Sequence, residues 1–227
     1  MELAALIPLL QLSDSAFPTG SFSHSMGLEA LVEGGQVSGA TELEAVVERY
    51  LEALATSDCV ALWELFRPTD SIAEIVLVDN ALSATKLARE SRAASTATGS
   101  SLLEAAAAFE LDYPLLRELM TAVRDGSAPG NIAVAYGAVC RSLGISVTAA
   151  LGSYLYTAAA ALVAAGQKLI PLGQSAAQGV LYHLRDVIAE AVRRSEKASP
   201  ADLFSFAPVI EIASMTHERQ RVRLYMS

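Results

Sequence analysis

From Ser142 to Gln167 the chain carries no charged side chain. A run of that length has to be buried, either in lipid, where about 20 apolar residues suffice to span, or in the protein's own interior. Its composition favours the interior. Ser146, Thr148, Ser153, Tyr154, Tyr156, Thr157 and the glycines at 144, 152 and 166 dilute it, and the apolar remainder is mainly alanine rather than leucine or phenylalanine. The segment reads as a fully buried central helix whose small residues let neighbouring helices come close, and no membrane span is expected.

The rest of the chain can be built around such a helix. With 227 residues, 52% hydrophobic and 18% charged, there is enough apolar material for one substantial core, and a single domain over residues 1–227 is expected. A net charge of -9 repels a polyanion and no basic stripe interrupts it, so nucleic acid is excluded as a partner. Cys59 and Cys140 lie far apart without a C-x-x-C spacing, which suggests neither a disulfide framework nor structural zinc and fits a reducing cytoplasm. The start, Met1-Glu2-Leu3, has no basic region and its apolar run is broken by Pro8, unlike a signal peptide.

Helical periodicity fills nearly everything else. Thr41-Glu42-Leu43-Glu44 has the form of a capping box, followed by Leu43, Val46, Val47, Tyr50, Leu51 and Leu54 at helical spacing, and this helix is expected to run to Arg67-Pro68. Glu44, Glu48 and Glu52 form its solvated face. Further helices are expected over the first twelve residues and over 23–33, 70–97, 101–110, 114–124, 131–143, 146–165, 174–194 and 200–224. Gly99, Gly126 to Gly130, Gly144, Gly166 and Pro171-Leu172-Gly173 serve as separators. No period-two strand is visible. The expected fold is all-α, about ten helices joined by short connections.

One segment is not explained by helix packing. Ser13-Asp14-Ser15-Ala16-Phe17-Pro18-Thr19-Gly20-Ser21-Phe22-Ser23-His24-Ser25-Met26-Gly27-Leu28-Glu29 crowds hydroxyls, glycines, a proline, a histidine and two phenylalanines together. That composition suits a shaped recognition surface. The three histidines, His24, His183 and His217, are too widely spaced for a local metal motif. His24 and His217 remain the candidate metal ligands because each sits in a segment with other signs of function, with Cys59 and Cys140 as the other nitrogen or sulfur donors open to a transition metal. No G-x-S-x-G elbow and no phosphate-cradling glycine loop occurs. Arginine is preferred over lysine, notably at Arg89, Arg92, Arg219, Arg221 and Arg223, and its planar fork suits carboxylate or phosphate partners. Pairing with glutamates of the chain itself is the simpler role for Arg89 and Arg92.

In these residues the chain resembles the UreF family of urease accessory proteins. Phe17-Pro18-Thr19-Gly20-Ser21-Phe22-Ser23-His24-Ser25-Met26-Gly27-Leu28-Glu29 is similar to the family's F-P-x-G-S-[aromatic]-x-H-S-x-G-L-E signature. Arg89 and Arg92 with Ser95 and Gly99, Leu169-Ile170-Pro171-Leu172-Gly173-Gln174, and His217-Glu218 with Arg223-Leu224-Tyr225 match further family segments in order. The resemblance implies a noncatalytic, all-helical protein that forms a homodimer, binds the accessory protein UreD (also called UreH), and recruits the GTPase UreG to apo-urease for nickel insertion.

It also implies that the N-terminal loop and helix, about residues 13–33, and the C-terminal tail, about residues 214–227, are the partner-binding elements. The residues carried over to that role are Phe22, His24, Ser25, Glu29, Lys168, His217, Glu218, Arg223 and Tyr225. No cofactor is required by the role, with nickel as a transient passenger through His24 and His217. The chain departs from the family pattern at Phe22, which lacks a phenolic hydroxyl, at Ala176-Ala177, and at Arg221-Val222. Two other roles remain open at this point: regulation of the GTPase by Arg89, Arg92 or a tail arginine placed beside its phosphates, and direct nickel relay.

Overall fold

A computed structural model describes residues 2–68, 71–220 and 223–226, apart from the side chain of Phe22. The described residues contain twelve α-helices and three short 3-10 turns and no strand, against the about ten helices expected. The charge-free segment forms the longest, α9 (Val147–Leu169), started by Ser146, whose side chain accepts the amide of Ala149. Packed on it are α1 (Leu3–Ser13), α2 (Leu28–Glu33), α3 (Ala40–Thr56), α4 (Asp58–Glu64), α8 (Ile132–Ser142), α10 (Gln174–His183) and α11 (Arg185–Ser195). By length and hydropathy α9 could cross a bilayer, yet here it is the hub of the helix packing. Ala150, Leu151, Tyr154, Leu155, Ala159, Leu162 and Val163 are buried, while Tyr156 and Lys168 on other sides are exposed. It is therefore central without being enclosed all round.

Tertiary contacts redraw several helix boundaries. The Thr41 capping box does not form: α3 begins one residue earlier, after an extended Gly39, so Thr41 already lies inside the helix and cannot cap it. Nor does that helix reach Arg67. It breaks at Ser57, whose hydroxyl turns back to the carbonyl of Ala53 and to the carboxylate of Asp58, competing with the helical ladder. The expected helix over 70–97 is two, α5 (Ile72–Thr85) and α6 (Arg89–Ala106), parted by an extended Lys86. Residues 174–194 divide at the buried Leu184 into α10 and α11. At the C terminus the structure holds a short turn at Pro200–Asp202 and α12 (Pro208–His217), after which the chain leaves the helical path.

Two expected separators are packing contacts instead. Gly99 lies within α6, where an added Cβ would sit 2.0 Å from the carbonyl oxygen of Gly130 and 2.9 Å from backbone atoms of Asn131 and Ile132. Gly166 lies within α9 against Leu43. The tight α6–α8 contact is anchored by Asp79, fully buried on α5. Its carboxylate accepts the amides of Gly130 (2.7 Å) and Asn131 (3.1 Å) and the Asn131 side chain (2.7 Å). Ser95 of α6 donates to Asn131 Oδ1. The amides of the two residues that lead into α8 are thus satisfied by a side chain from a different helix. α7 (Pro114–Asp125) completes the layer beside α5 and α8, its Pro114 in the first turn as expected.

Candidate functional site

The two ends of the chain meet. Ser21–Ser23 form a single 3-10 turn, and Met26 (φ 50) and Gly27 (φ 80) then take left-handed backbone conformations, so α2 starts at Leu28 rather than near Ser23. Gly27 is required on two counts. Its φ suits glycine, and a Cβ there would lie 2.7 Å from the amide nitrogen of Ser214, so only glycine lets α12 come onto the start of α2. This contact sets Glu29, in the first turn of α2, against His217, the last residue of α12.

A hub of charged groups follows from that placement. His217 is fully buried, with Nε2 3.0 Å from Glu29 Oε2 and Nδ1 3.3 Å from Glu90 Oε2. Glu29 Oε1 accepts the backbone amide of Leu224 at 2.7 Å, and its Oε2 that of Tyr225 at 3.1 Å. Burial alone would raise the Glu29 carboxyl, but the hydrogen bonds from Leu224, His217 and Tyr225 outweigh it and hold the group below the usual carboxylate range. Glu90 Oε1 accepts from Arg223 at 2.6 Å. Met226 donates its amide to the carbonyl of Ser23 at 2.8 Å, and Lys168 sits 5.7 Å above the ring of Tyr225. The tail is thereby laid across α2, α6 and the N-terminal loop.

α12 also completes α6. The amide of Ala88 donates to Glu211 of α12 and that of Glu90 to Glu218 just past its end, both at 3.2 Å, so two carboxylates from one segment cap the N-terminus of α6. Arg89 pairs with Glu218 at 3.6 Å. Arg92 does not pair with a glutamate as the simpler role had it; it donates to the carbonyls of Lys86 and Leu87, which the break between α5 and α6 leaves open.

Of the nine residues expected to bind partners, six belong to this hub: Glu29, His217, Glu218, Arg223, Tyr225 and Lys168. Ser25, in the loop before α2, is fully buried and its hydroxyl meets no hydrogen-bond partner among the described residues. His24 is half-buried close by, its imidazole lowered by burial against the opposing pull of Glu90. The side chain of Phe22, like Arg221 and Val222, lies outside the described residues. As for metal binding, both ring nitrogens of His217 already face carboxylates, and the described residues hold no group of three or more His, Cys, Asp or Glu arranged for a metal ion. Cys59 and Cys140 are buried free thiols, and burial pushes both well up.

Sequence reasoning gave Glu90 no role, since its partners lie more than a hundred positions away. It also missed a second buried cluster. Asp58, 2% exposed, accepts from Lys86 at 2.8 and 3.0 Å, from the Tyr154 hydroxyl at 2.9 Å and from Ser57 at 3.1 Å. Burial, and then the Asp58 charge, raise the hydroxyls of Tyr50 and Tyr154. This pair lines a cavity of about 360 Å³ that also touches His24, Ser21 and Glu211. Its polar groups are largely satisfied by one another, an arrangement of structural support rather than of a poised acid and base.

Outside the hub the chain presents apolar side chains to solvent. Val209, Ile212 and Met215 follow one another along α12, 48, 63 and 40% exposed, with Phe204 and Phe206 before the helix and Leu224 and Met226 on the tail. A second exposed row, Leu3, Ile7 and Leu10, runs along α1.

Comparison with known proteins bears on this arrangement. The UreF family model matches residues 37–185. Along the full chain the sequence is 38% identical to the urease accessory protein UreF of Paenarthrobacter aurescens (strain TC1), with all of both chains covered. It is also 38% identical to the UreF of Arthrobacter sp. (strain FB24), over 97% of this chain and 96% of that one, and 31% identical to the UreF of Bacillus sp. (strain TB-90), over 98% and 99%.

Proposed function

Since this chain belongs to the UreF family of urease accessory proteins, we propose that it is a cytoplasmic docking scaffold for nickel insertion, binding UreD (UreH) and recruiting the GTPase UreG to apo-urease. It is an accessory protein and not an enzyme. The observation that carries the docking reading is the apolar stripe beside the hub: Val209, Ile212 and Met215 of α12 with Leu224 and Met226 of the tail. Side chains of this size gathered on one short helix and the strap next to it are suited to being covered by another protein, with the charged hub as the polar rim. Arg223, one-third exposed and paired with Glu90, stands at that rim.

The homodimer belongs to the same reading, supported by the second exposed row on α1, Leu3, Ile7 and Leu10. Nickel is cargo in this role and no resident cofactor is needed. The rival role of GTPase stimulator has less support, because the guanidinium of Arg92 already serves two backbone carbonyls and that of Arg223 serves Glu90.

Pull-down from cells co-expressing the tagged chain with UreD and UreG tests the reading. Ile212→Glu and Arg223→Ala should each lower capture about tenfold, a loss of about 1.4 kcal/mol, with the helical circular dichroism unchanged. Full capture by both variants would sink the proposal.

A further inference from the structure

We infer that Glu29 is the positioning residue of the C-terminal tail: it takes the tail by its backbone, through the amides of Leu224 and Tyr225, and so fixes which side chains the tail turns outward. The inference rests on the reading of the tail as a docking element. One carboxylate receives both consecutive amides, at 2.7 and 3.1 Å, while His217 holds its Oε2 at 3.0 Å. Backbone recognition of two successive residues sets a register. Tyr225 is turned in and only 7% exposed, whereas Leu224 and Met226 on either side are 66 and 65% exposed.

The identity of the outward residues plays no part in this hold. Arg223 on Glu90 and the Met226 amide on the Ser23 carbonyl fasten the strap at either side. Glu29 itself is 5% exposed and lies beneath the tail, out of a partner's reach. Its influence on partner binding is therefore indirect, through a tail ordered before the partner arrives, which spares the complex the entropy of ordering it.

Amide hydrogen exchange of the full chain, read at Tyr225 and Met226, tests the inference. Glu29→Gln keeps the shape but replaces one acceptor oxygen with a donor. Leu224→Pro removes an amide that Glu29 accepts, and Leu224→Ala keeps it. Exchange should quicken about tenfold or more in Glu29→Gln and in Leu224→Pro, in line with loss of hydrogen bonds to a charged group. Leu224→Ala should stay at the parent rate, and α8 amides should not change in any variant. The double variant Glu29→Gln with Leu224→Pro should be no faster than the faster single one, because both remove the same hold.

Parent rates at Tyr225 and Met226 in Glu29→Gln, or additive effects in the double variant, would overturn the inference. Should Glu29→Gln fail to fold, equal rates in Leu224→Pro and Leu224→Ala would do so as well. Partner capture by Glu29→Gln separates the two levels: a released tail with undiminished capture refutes the docking reading and leaves the positioning role standing, whereas an unreleased tail refutes the positioning role whatever the capture.

Discussion

Replacing Gly99 by alanine sets two effects of opposite sign against each other. In an isolated helix the change would stabilise α6 by about 1 kcal/mol, since glycine loses more backbone freedom on ordering. In this structure the new Cβ would sit 2.0 Å from the Gly130 carbonyl oxygen, whereas Cβ contacts below 3.0 Å are essentially never seen. α6 and α8 would have to part by about 1 Å. The clashing atoms are backbone, so no rotamer change relieves them, and Gly130 and Asn131 are held in turn by Asp79. Overpacking of this kind costs about 3 kcal/mol, leaving a net loss of about 2 kcal/mol after the propensity gain. For a chain of this size that lowers the melting temperature by about 4–8 °C. Urea unfolding followed by circular dichroism measures it as a lower midpoint at unchanged slope. Because α6 also carries Glu90, the same variant should loosen the tail. A Gly99→Ala protein as stable as the parent would refute the close-approach argument.

Two further predictions concern other parts of the molecule. Lys86→Ala strands the Asp58 carboxylate in a site 2% exposed to solvent and should cost about 3–5 kcal/mol of stability, the usual penalty for breaking a buried ion pair; a urea midpoint equal to the parent's would contradict the assignment of that pair. Ile7→Glu on the exposed face of α1 should change stability by less than about 0.5 kcal/mol and convert a dimer to a monomer in light scattering; a mass unaffected by the change would remove α1 from the proposed homodimer contact.

The structure also explains where local reading of the sequence stops. Gly99 looks like a helix terminator, since glycine is a poor helix former. Here it continues α6 because a neighbouring backbone needs the space of its missing side chain. Ser57 looks like one more residue in a long amphipathic helix, yet that helix ends so that Asp58 can meet Lys86 and Tyr154. The residues from Glu218 onward continue a helical pattern on paper. The amides of Leu224 and Tyr225 are taken instead by Glu29, about two hundred positions earlier. In each case a distant group outbid the local preference.

By itself the sequence determined the all-helical class, the central place of the charge-free segment and the family. These follow from periodicity, charge absence and ordered motifs, which are local properties of the chain. It also marked Glu29, His217 and Arg223 as candidate site residues, one by one. Only the tertiary structure decided that they form a single hub with Glu90, that Glu29 is sealed beneath the tail, and that the outward surface is apolar. Hydrogen-bond partners and burial depend on which segments come together in space, and no spacing along the chain records that.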